Sequence, residues 1–352
     1  MIIGIANNLY PPYGRGSGAE VIVIKTVQEL RAAGHEVFVI STKPLKSKQE
    51  DSSDCYYFTS AYHSLASWSP FKKMAWHCQQ LLFSGNRRRL NKILKERRPD
   101  LFVTHNLIGL GFSLPSLLFK LHIRHEHILH DIQLLHPSGL MYFGQEKIIC
   151  SPLARFYQFF TRRAFKKADL IISPSRWLLN THQERGFFKK QESRIQKNFQ
   201  LDKPIKKEPK QPLNFLFTGQ LEKHKGIDML LRAWQEASLP EAKLSIAGGG
   251  SLAKMVAEQA EKQTNIHYLG YLDREGIDQA LQKADIIIVP SLVYENSPTS
   301  LWEAAARGLC AIASDIGGIP EMKDELHLTL FPPGNLQALI AAIKEAADKK
   351  NK

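Results

Sequence analysis

The sequence predicts an α/β fold of two Rossmann-like domains whose parallel sheets face a central cleft. Three observations carry that prediction. Short apolar runs alternate with helical stretches through both halves, the pattern of parallel strands covered by helices on both faces. At 352 residues the chain is long for one domain and ample for two, each able to bury a core. Charge divides the same way: residues 1–200 hold 29 Lys/Arg against 14 Asp/Glu, whereas residues 201–352 hold 18 against 20. The charged, proline-bearing "LDKPIKKEPKQP" at 201–212 has no apolar period and reads as a linker. The expected domains are therefore 1–200 and 213–352. A ligand is expected outside the carboxyl ends of the strands.

The first domain opens on the strand "IIGIA", followed by the glycine-rich "GRGSGAE" at 14–20 and a helix from about Ala19. Glycines before a helix permit close backbone approach, and a plain loop reads equally well. The runs "EVFVIS", "LFVTH", "HILH" and "LIISPS" are the next strands. Between the second and third lie "WSPFKKMAWHCQQLLF" (68–83) and "RRRLNKILKERR" (87–98). In the latter Leu90, Ile93 and Leu94 share one face and Arg88, Lys92 and Lys95 another, as in a basic amphipathic helix. With Trp68, Phe71 and Trp76 beside Lys72 and Lys73, this region suits an anionic membrane surface. The competing reading is a solvated helix packed on its own domain with core aromatics. Nucleic acid ranks below both, because no DNA- or RNA-binding motif accompanies the charge.

"HIRHEHILHD" (122–131) invites a metal assignment. On a strand His125 and His127 share a face that His122 and His130 do not, so a tetrahedral site is awkward. One functional histidine at the strand's end, His130, is the preferred reading. Four scattered cysteines without Cys-x-x-Cys spacing suit a reduced compartment. No run approaches the ~20 apolar residues of a membrane span, and the opening lacks the basic start of a signal peptide. A cytoplasmic protein, peripheral on the inner face of a membrane if at all, is expected.

The second domain supplies the strands "NFLFTG", "KLSIAG", "NIHYLG", "IIIVPS" and "CAIAS". In "FTGQLEKHKGIDMLLRAW" (217–234) Lys225 precedes a helix whose dipole does not want a cation, so phosphate oxygens are a natural partner, with a solvated surface lysine as the alternative. "YENSPTSLWEAAARG" (294–308) reads as a helix start with Ser297 as N-cap and Pro298 in the first helical position. Glu295 then precedes the helix. Glu303 shares a face with the unpaired amides of Thr299 and Ser300, which could hold a phosphate. Two carboxylates, having only acceptors, suit a hydroxyl-rich ligand. Phosphate plus vicinal hydroxyls describes a nucleotide sugar, and an ordinary capped helix with two solvated glutamates remains open.

In this order the motifs "GSGAE", "RAAGHEV", "HD" at His130–Asp131, "ADLIISPS", "GQLEKHKGIDMLLRAW", "LSIAGGG", "ADIIIVPSLVYENSPTSLWEAAARG" and "DIGGIPE" resemble glycosyltransferase family four, the glycosyl transferases group 1. The resemblance spans most of the chain and implies the GT-B fold and retaining transfer from a nucleotide-diphosphate sugar. It implies that Glu295 contacts the sugar hydroxyls and Glu303 the ribose. Asn296, Ser297, Thr299 and Ser300 then lie at the diphosphate and sugar, with Lys225 and the Gly18 backbone at the phosphates. His130 falls beside the reacting sugar, making His130, Lys225 and Glu295 the catalytic candidates. Two departures stand out: Asn198 lies in "NFQLD" where the family often has an Asn-Gly-x-Asp turn, and Gln220 occupies a position that is commonly arginine.

No Asp-x-Asp metal motif is present, so neither metal nor another cofactor is expected. Lys225 and a helix N-terminus suffice to stabilise a leaving diphosphate. With no carboxylate nucleophile evident, the resemblance implies front-face attack in which the leaving phosphate takes the acceptor's proton. The expected activity is hexosyl transfer to a glycan or lipid-linked acceptor in cell-surface polysaccharide or glycolipid synthesis. A sugar-nucleotide epimerase of related fold, or a basic binding protein on a degenerate transferase scaffold, is the alternative.

Overall fold

Two all-parallel sheets organise the chain in a computed structural model that describes residues 1–14, 18–48, 50–82, 85–199 and 212–348. Contacts divide it into two compact units: Met1–Leu140 with Lys147–Gln196, and Met141–Glu146 with Lys197–Lys352. The sequence reading ran the first domain unbroken to residue 200. Residues 141–146 instead join the second unit, where Tyr294 N donates to Met141 O (2.9 Å) and Tyr294 Oη to Glu146 Oε1 (2.8 Å). Residues 201–211 of the expected linker, and Arg15, Gly16 and Ser17 of the glycine-rich stretch, lie outside the described residues.

In the first unit the strands are β1 (Ile2–Ala6), β2 (Glu36–Lys43), β3 (Cys55–Thr59), β4 (Leu101–Thr104), β5 (Arg124–Ile128), β6 (Leu170–Ser173) and β7 (Glu192–Ile195), in spatial order β3-β2-β1-β4-β5-β6-β7. The helices are α1 (Gly18–Ala32), α2 (Pro70–Leu82), α3 (Arg87–Arg97), α4 (Leu114–Lys120), α5 (Pro152–Ala164) and α6 (Arg176–Gln183). Ile3 and Ile5 of β1, Val37 and Val39 of β2 and Val103 of β4 meet Val23 and Val27 of α1 on one face. The intervening residues Phe38 and Phe102 pack edge-on across the other, as a period of two requires.

α3 forms with Leu90, Ile93 and Leu94 buried, and two of its arginines are committed to their own unit. Arg89 bonds Asp51 and Tyr57 O beneath a guanidinium–Phe58 contact, and Arg97 pairs with Glu36 over Phe38. Trp76, expected at a membrane surface with Phe71, is instead buried, at 7% exposure against 73% for Phe71. Trp76 is thus a core aromatic of its own unit, as the competing reading has it.

Of the histidines around β5, His125 and His127 are buried, His130 is partly buried and His122 is exposed. Thr104 Oγ1, at the end of β4, lies 2.7 Å from His125 Nε2 and 2.9 Å from His127 Nδ1. One hydroxyl thus serves two neutral rings, donating to one and accepting from the other. His122 sits in the turn before β5 with φ 55. Burial pushes His125, His130 and His182 down to about 4, and holds His105 and His127 well below the ordinary range.

The second unit has β8 (Asn214–Thr218), β9 (Lys243–Ala247), β10 (Ile266–Gly270), β11 (Ile286–Val289), β12 (Cys310–Ser314) and β13 (Leu328–Phe331), ordered β10-β9-β8-β11-β12-β13. Its helices are α7 (Ile227–Ala237), α8 (Ala253–Lys262), α9 (Arg274–Lys283), α10 (Thr299–Ala305) and α11 (Leu336–Asp348). Phe215, Phe217, Ile286 and Ile288 enter one core with Trp234 and Leu339. Leu216, Ile287 and Val289 enter a second with Leu301 and Trp302. Both faces of the sheet are therefore covered, which is why these strands read as unbroken apolar runs.

The neutral histidines make stability pH-dependent. Their folded pKa lies below the unfolded value of about 6.5, so the stability they carry is present above that value and lost as pH falls toward about 4. Asp131, pushed up by burial to about 6, runs the other way. With each ring contributing about 2 kcal/mol between roughly pH 7 and pH 5, urea melts should show several kcal/mol lost over that interval. An unchanged unfolding free energy would contradict neutral burial of these rings.

Candidate functional site

In the second unit the winding reverses between β8 and β11. Connections leaving neighbouring strands on either side of such a point diverge and leave a crevice at the carboxyl ends. The loop after β8 carries Gln220 and Lys225; the loop after β11 carries Glu295.

Two glycines bring these loops into register. The turn Lys223–Lys225 ends at Gly226, whose φ of 72 is left-handed and where a Cβ would stand 2.0 Å from Pro290 O. Leu292 N then donates to His224 O at 2.9 Å. Gly317, φ 65, lies so close beneath the second loop that a Cβ would stand 2.1 Å from Glu295 O, the atom that accepts from Gly318 N at 2.8 Å.

The outcome is a polar cluster. Lys225 Nζ lies 2.6 Å from Glu295 Oε1, and Ser291 Oγ donates to the same oxygen at 2.8 Å. Burial pushes the Glu295 carboxyl up, but Lys225 and then Ser291 outweigh it and hold the group below the usual carboxylate range. The pair is ionised, and the ammonium retains donors beyond the one given to Glu295.

The start of α10 differs from the expectation. Ser297 is not its N-cap, for its Oγ accepts from Trp302 Nε1 at 2.7 Å. Pro298, with extended ψ of 124, occupies the cap position instead of the first helical one. The indole of a core tryptophan has claimed the hydroxyl that would have capped. Thr299 and Ser300 open a helix of seven residues, where first-turn amides have no intrahelical acceptor. Asn296 is buried, and Asn198 Nδ2 lies 3.5 Å from Ser297 O.

Glu303 does lie inside α10, with Oε1 2.5 Å from Arg274 Nη1. Burial pushes its carboxyl up, and Arg274 opposes this without fully offsetting it. Arg307 is committed to Glu303 O and Asp278. Gln220 is exposed. Lys225, Gln220, Asn296, Ser297, Thr299, Ser300, Glu295 and Glu303 thus belong to one unit, whereas Gly18, the first residue of α1, and His130 belong to the other. His130 Nε2 lies 2.7 Å from His105 Nδ1 with the rings stacked, and both rings are neutral.

Sequence reasoning missed Ser291, Arg274 and His105. Ser291 and His105 each follow the end of a strand, the position from which loops present functional groups. Arg274 carries no local signal, since it meets Glu303 only through the packing of α9 beside α10.

Residues 16–198 match the family model described as Glycosyltransferase Family 4, and residues 198–352 the model described as Glycosyl transferases group 1. An uncharacterized 42.6 kDa protein in the cps region of Klebsiella pneumoniae is 28% identical over 92% of this chain and 87% of its own. The amylovoran biosynthesis glycosyltransferase AmsK of Erwinia amylovora is 31% identical over 38% of this chain and 35% of its own. Among solved structures, Anabaena HepE in complex with UDP and glucose superposes with a TM-score of 0.69 at 16% identity, covering 100% of this chain and 91% of that one.

The glycine geometry is testable by comparison. Gly334 has φ 76 but no atom nearer than 3.8 Å to a new Cβ, so Gly334→Ala should cost only the left-handed penalty of about 1–3 kcal/mol. Gly317→Ala adds overlap with a backbone oxygen and should cost clearly more in urea titrations. Equal losses would mean that the loop yields freely and does not depend on Gly317.

Proposed function

The chain belongs to the glycosyl transferases group 1, and from that membership we propose that it moves a hexose-type sugar from a nucleoside diphosphate to a glycan or lipid-linked acceptor. Synthesis of a cell-surface polysaccharide or glycolipid is the setting, supported by the cps-region and amylovoran relatives. The observation that carries the reading is the ionised Lys225–Glu295 pair at the winding reversal. A sugar phosphate there meets a cation for its phosphate and a carboxylate for its hydroxyls.

Transfer proceeds with retention and without metal. The bond from the anomeric carbon to the diphosphate oxygen breaks, the bond to the acceptor oxygen forms on the same face, and the acceptor's proton passes to the leaving phosphate. Lys225 and the first-turn amides at Thr299 and Ser300 meet the charge that grows on the diphosphate. Gln220 donates a hydrogen bond without charge. Asn296 and Ser297 shape the loop that presents Glu295 to the sugar, and Glu303 takes the ribose hydroxyls once Arg274 shares or yields its carboxylate. Gly18 and His130 keep the roles the resemblance gives them, the neutral imidazole acting as a hydrogen-bonding group and not as a charge.

A panel of nucleotide sugars, read by release of free nucleotide, tests the activity. A transferase frees nucleotide, an epimerase alters the sugar without freeing it, and a binding protein does neither. Addition of a chelator should leave the rate unchanged. Calorimetry with the free nucleoside diphosphate tests the division between the glutamates. Glu303→Ala should weaken binding by about 1.5–3 kcal/mol, the scale of a charged hydrogen bond, while Glu295→Ala leaves it nearly intact and abolishes transfer. Equal losses in binding would refute that division.

A further inference from the structure

The exposed surface of the first unit carries a feature that the donor chemistry does not use. α5 turns one face inward, with Ala154, Tyr157, Gln158 and Thr161 buried. Its outward face is apolar as well: Leu153 is 65%, Phe156 48% and Phe159 52% exposed, with Phe160 packed edge-on against both phenylalanines. Phe71 and Met74 of α2, which packs beside α5, are exposed as well, at 73% and 41%. Water is a poor neighbour for a contiguous patch of this kind, and such patches mark surfaces that something covers.

Charge identifies the cover. α5 contains no Asp or Glu, and residues 151–200 hold 11 Lys/Arg against 3 Asp/Glu. Arg155 and Arg162 follow one flank of the aromatic ridge and open into a basin of 690 Å³ also lined by Arg185 and Lys189. Glu184 is its one acidic lining residue, paired with Arg185. Arg155, Arg162 and Lys189 have no ion pair among the described residues. Apolar side chains outward, with cations along their border, suit the boundary between acyl chains and anionic headgroups. A second copy of the same face would set cation against cation.

We propose that α5 docks this unit on an anionic lipid bilayer, with Leu153, Phe156 and Phe159 among the acyl chains and a lipid phosphate in the basin of Arg155, Arg162, Arg185 and Lys189. The surface is thus centred on α5; it keeps Phe71 of the α2 segment that the sequence suggested and replaces the α3 part, where Arg89 and Arg97 are spent on Asp51 and Glu36. The placement does not depend on the donor reading.

Cosedimentation of the full chain with vesicles tests it, comparing phosphatidylcholine alone with an equal mixture of phosphatidylcholine and phosphatidylglycerol. The parent protein should bind the mixed vesicles, bind the neutral ones weakly, and dissociate as salt rises. F156S/F159S and R155E/R162E should each lower binding to mixed vesicles on the order of tenfold or more, whereas R87E/R88E should lower it less. An unchanged thermal unfolding midpoint in each variant shows that it is folded and keeps this test separate from that of the donor site. Parent protein that ignores lipid charge, or F156S/F159S that binds as the parent does, would overturn the proposal. So would absence of vesicle binding together with a concentration-dependent dimer that F156S/F159S abolishes, which would assign the ridge to a second copy.

Discussion

A carboxylate withdrawn from water must find a cation or give up its charge, and much of the second unit's loop geometry serves that requirement at Glu295. The cation, Lys225, lies 70 residues away in sequence on the other side of the winding reversal. To bring them within 2.6 Å the loop after β11 is approached so closely, by the loop after β8 at Gly226 and by the loop after β12 at Gly317, that neither glycine has room for a side chain. The sheet order fixes where the loops emerge, the glycines fix how near they come, and the ion pair holds the Glu295 carboxyl below the usual carboxylate range although burial pushes it up.

That arrangement also accounts for what the site offers a ligand. An ion pair that is only partly withdrawn from water, with the side chains 27% and 16% exposed, can be entered by a phosphate and a hydroxyl without first being dismantled. Glu303 is in a different state. Its carboxyl is pushed up by burial and already engaged by Arg274, whose own side chain is 68% exposed. An exposed arginine is displaced more readily than a buried one, so in the proposed reading the ribose hydroxyls compete for Glu303 with a partner that can yield.

The fold was legible because its central strands are apolar on both faces and bounded by glycine or proline, as in "NFLFTG" and "IIIVPS". The strands that escaped notice are β3, β7 and β13, which lie at or toward the sheet edges. β7, "ESRI", is mostly exposed and has no apolar signature to read. At the site, Lys225 was legible because it breaks a local rule, a cation before a helix, and Glu295 because it and Glu303 flank a helix start with two acceptors beside unpaired amides. Arg274 and Ser291 break none, and only tertiary packing reveals them. Ser297 reads as an N-cap by residue type and position, whereas the indole of Trp302 decides where its hydroxyl points. The histidines were legible as a cluster. Their state was not, since it depends on Thr104 and on His105, which come from a neighbouring strand and its end.

The central claim is that Lys225 meets the diphosphate, in a chain that has Gln220 where a second cation is common. Calorimetry on Lys225→Ala with the nucleoside diphosphate that a thermal-shift panel of UDP, GDP and ADP selects, set beside the corresponding monophosphate, tests it most directly. The account predicts that diphosphate affinity falls on the order of 10- to 100-fold, as for loss of one charged hydrogen bond of about 1.5–3 kcal/mol, while monophosphate affinity changes much less. Equal losses for both ligands, or no loss for the diphosphate, would contradict it and place the leaving group elsewhere.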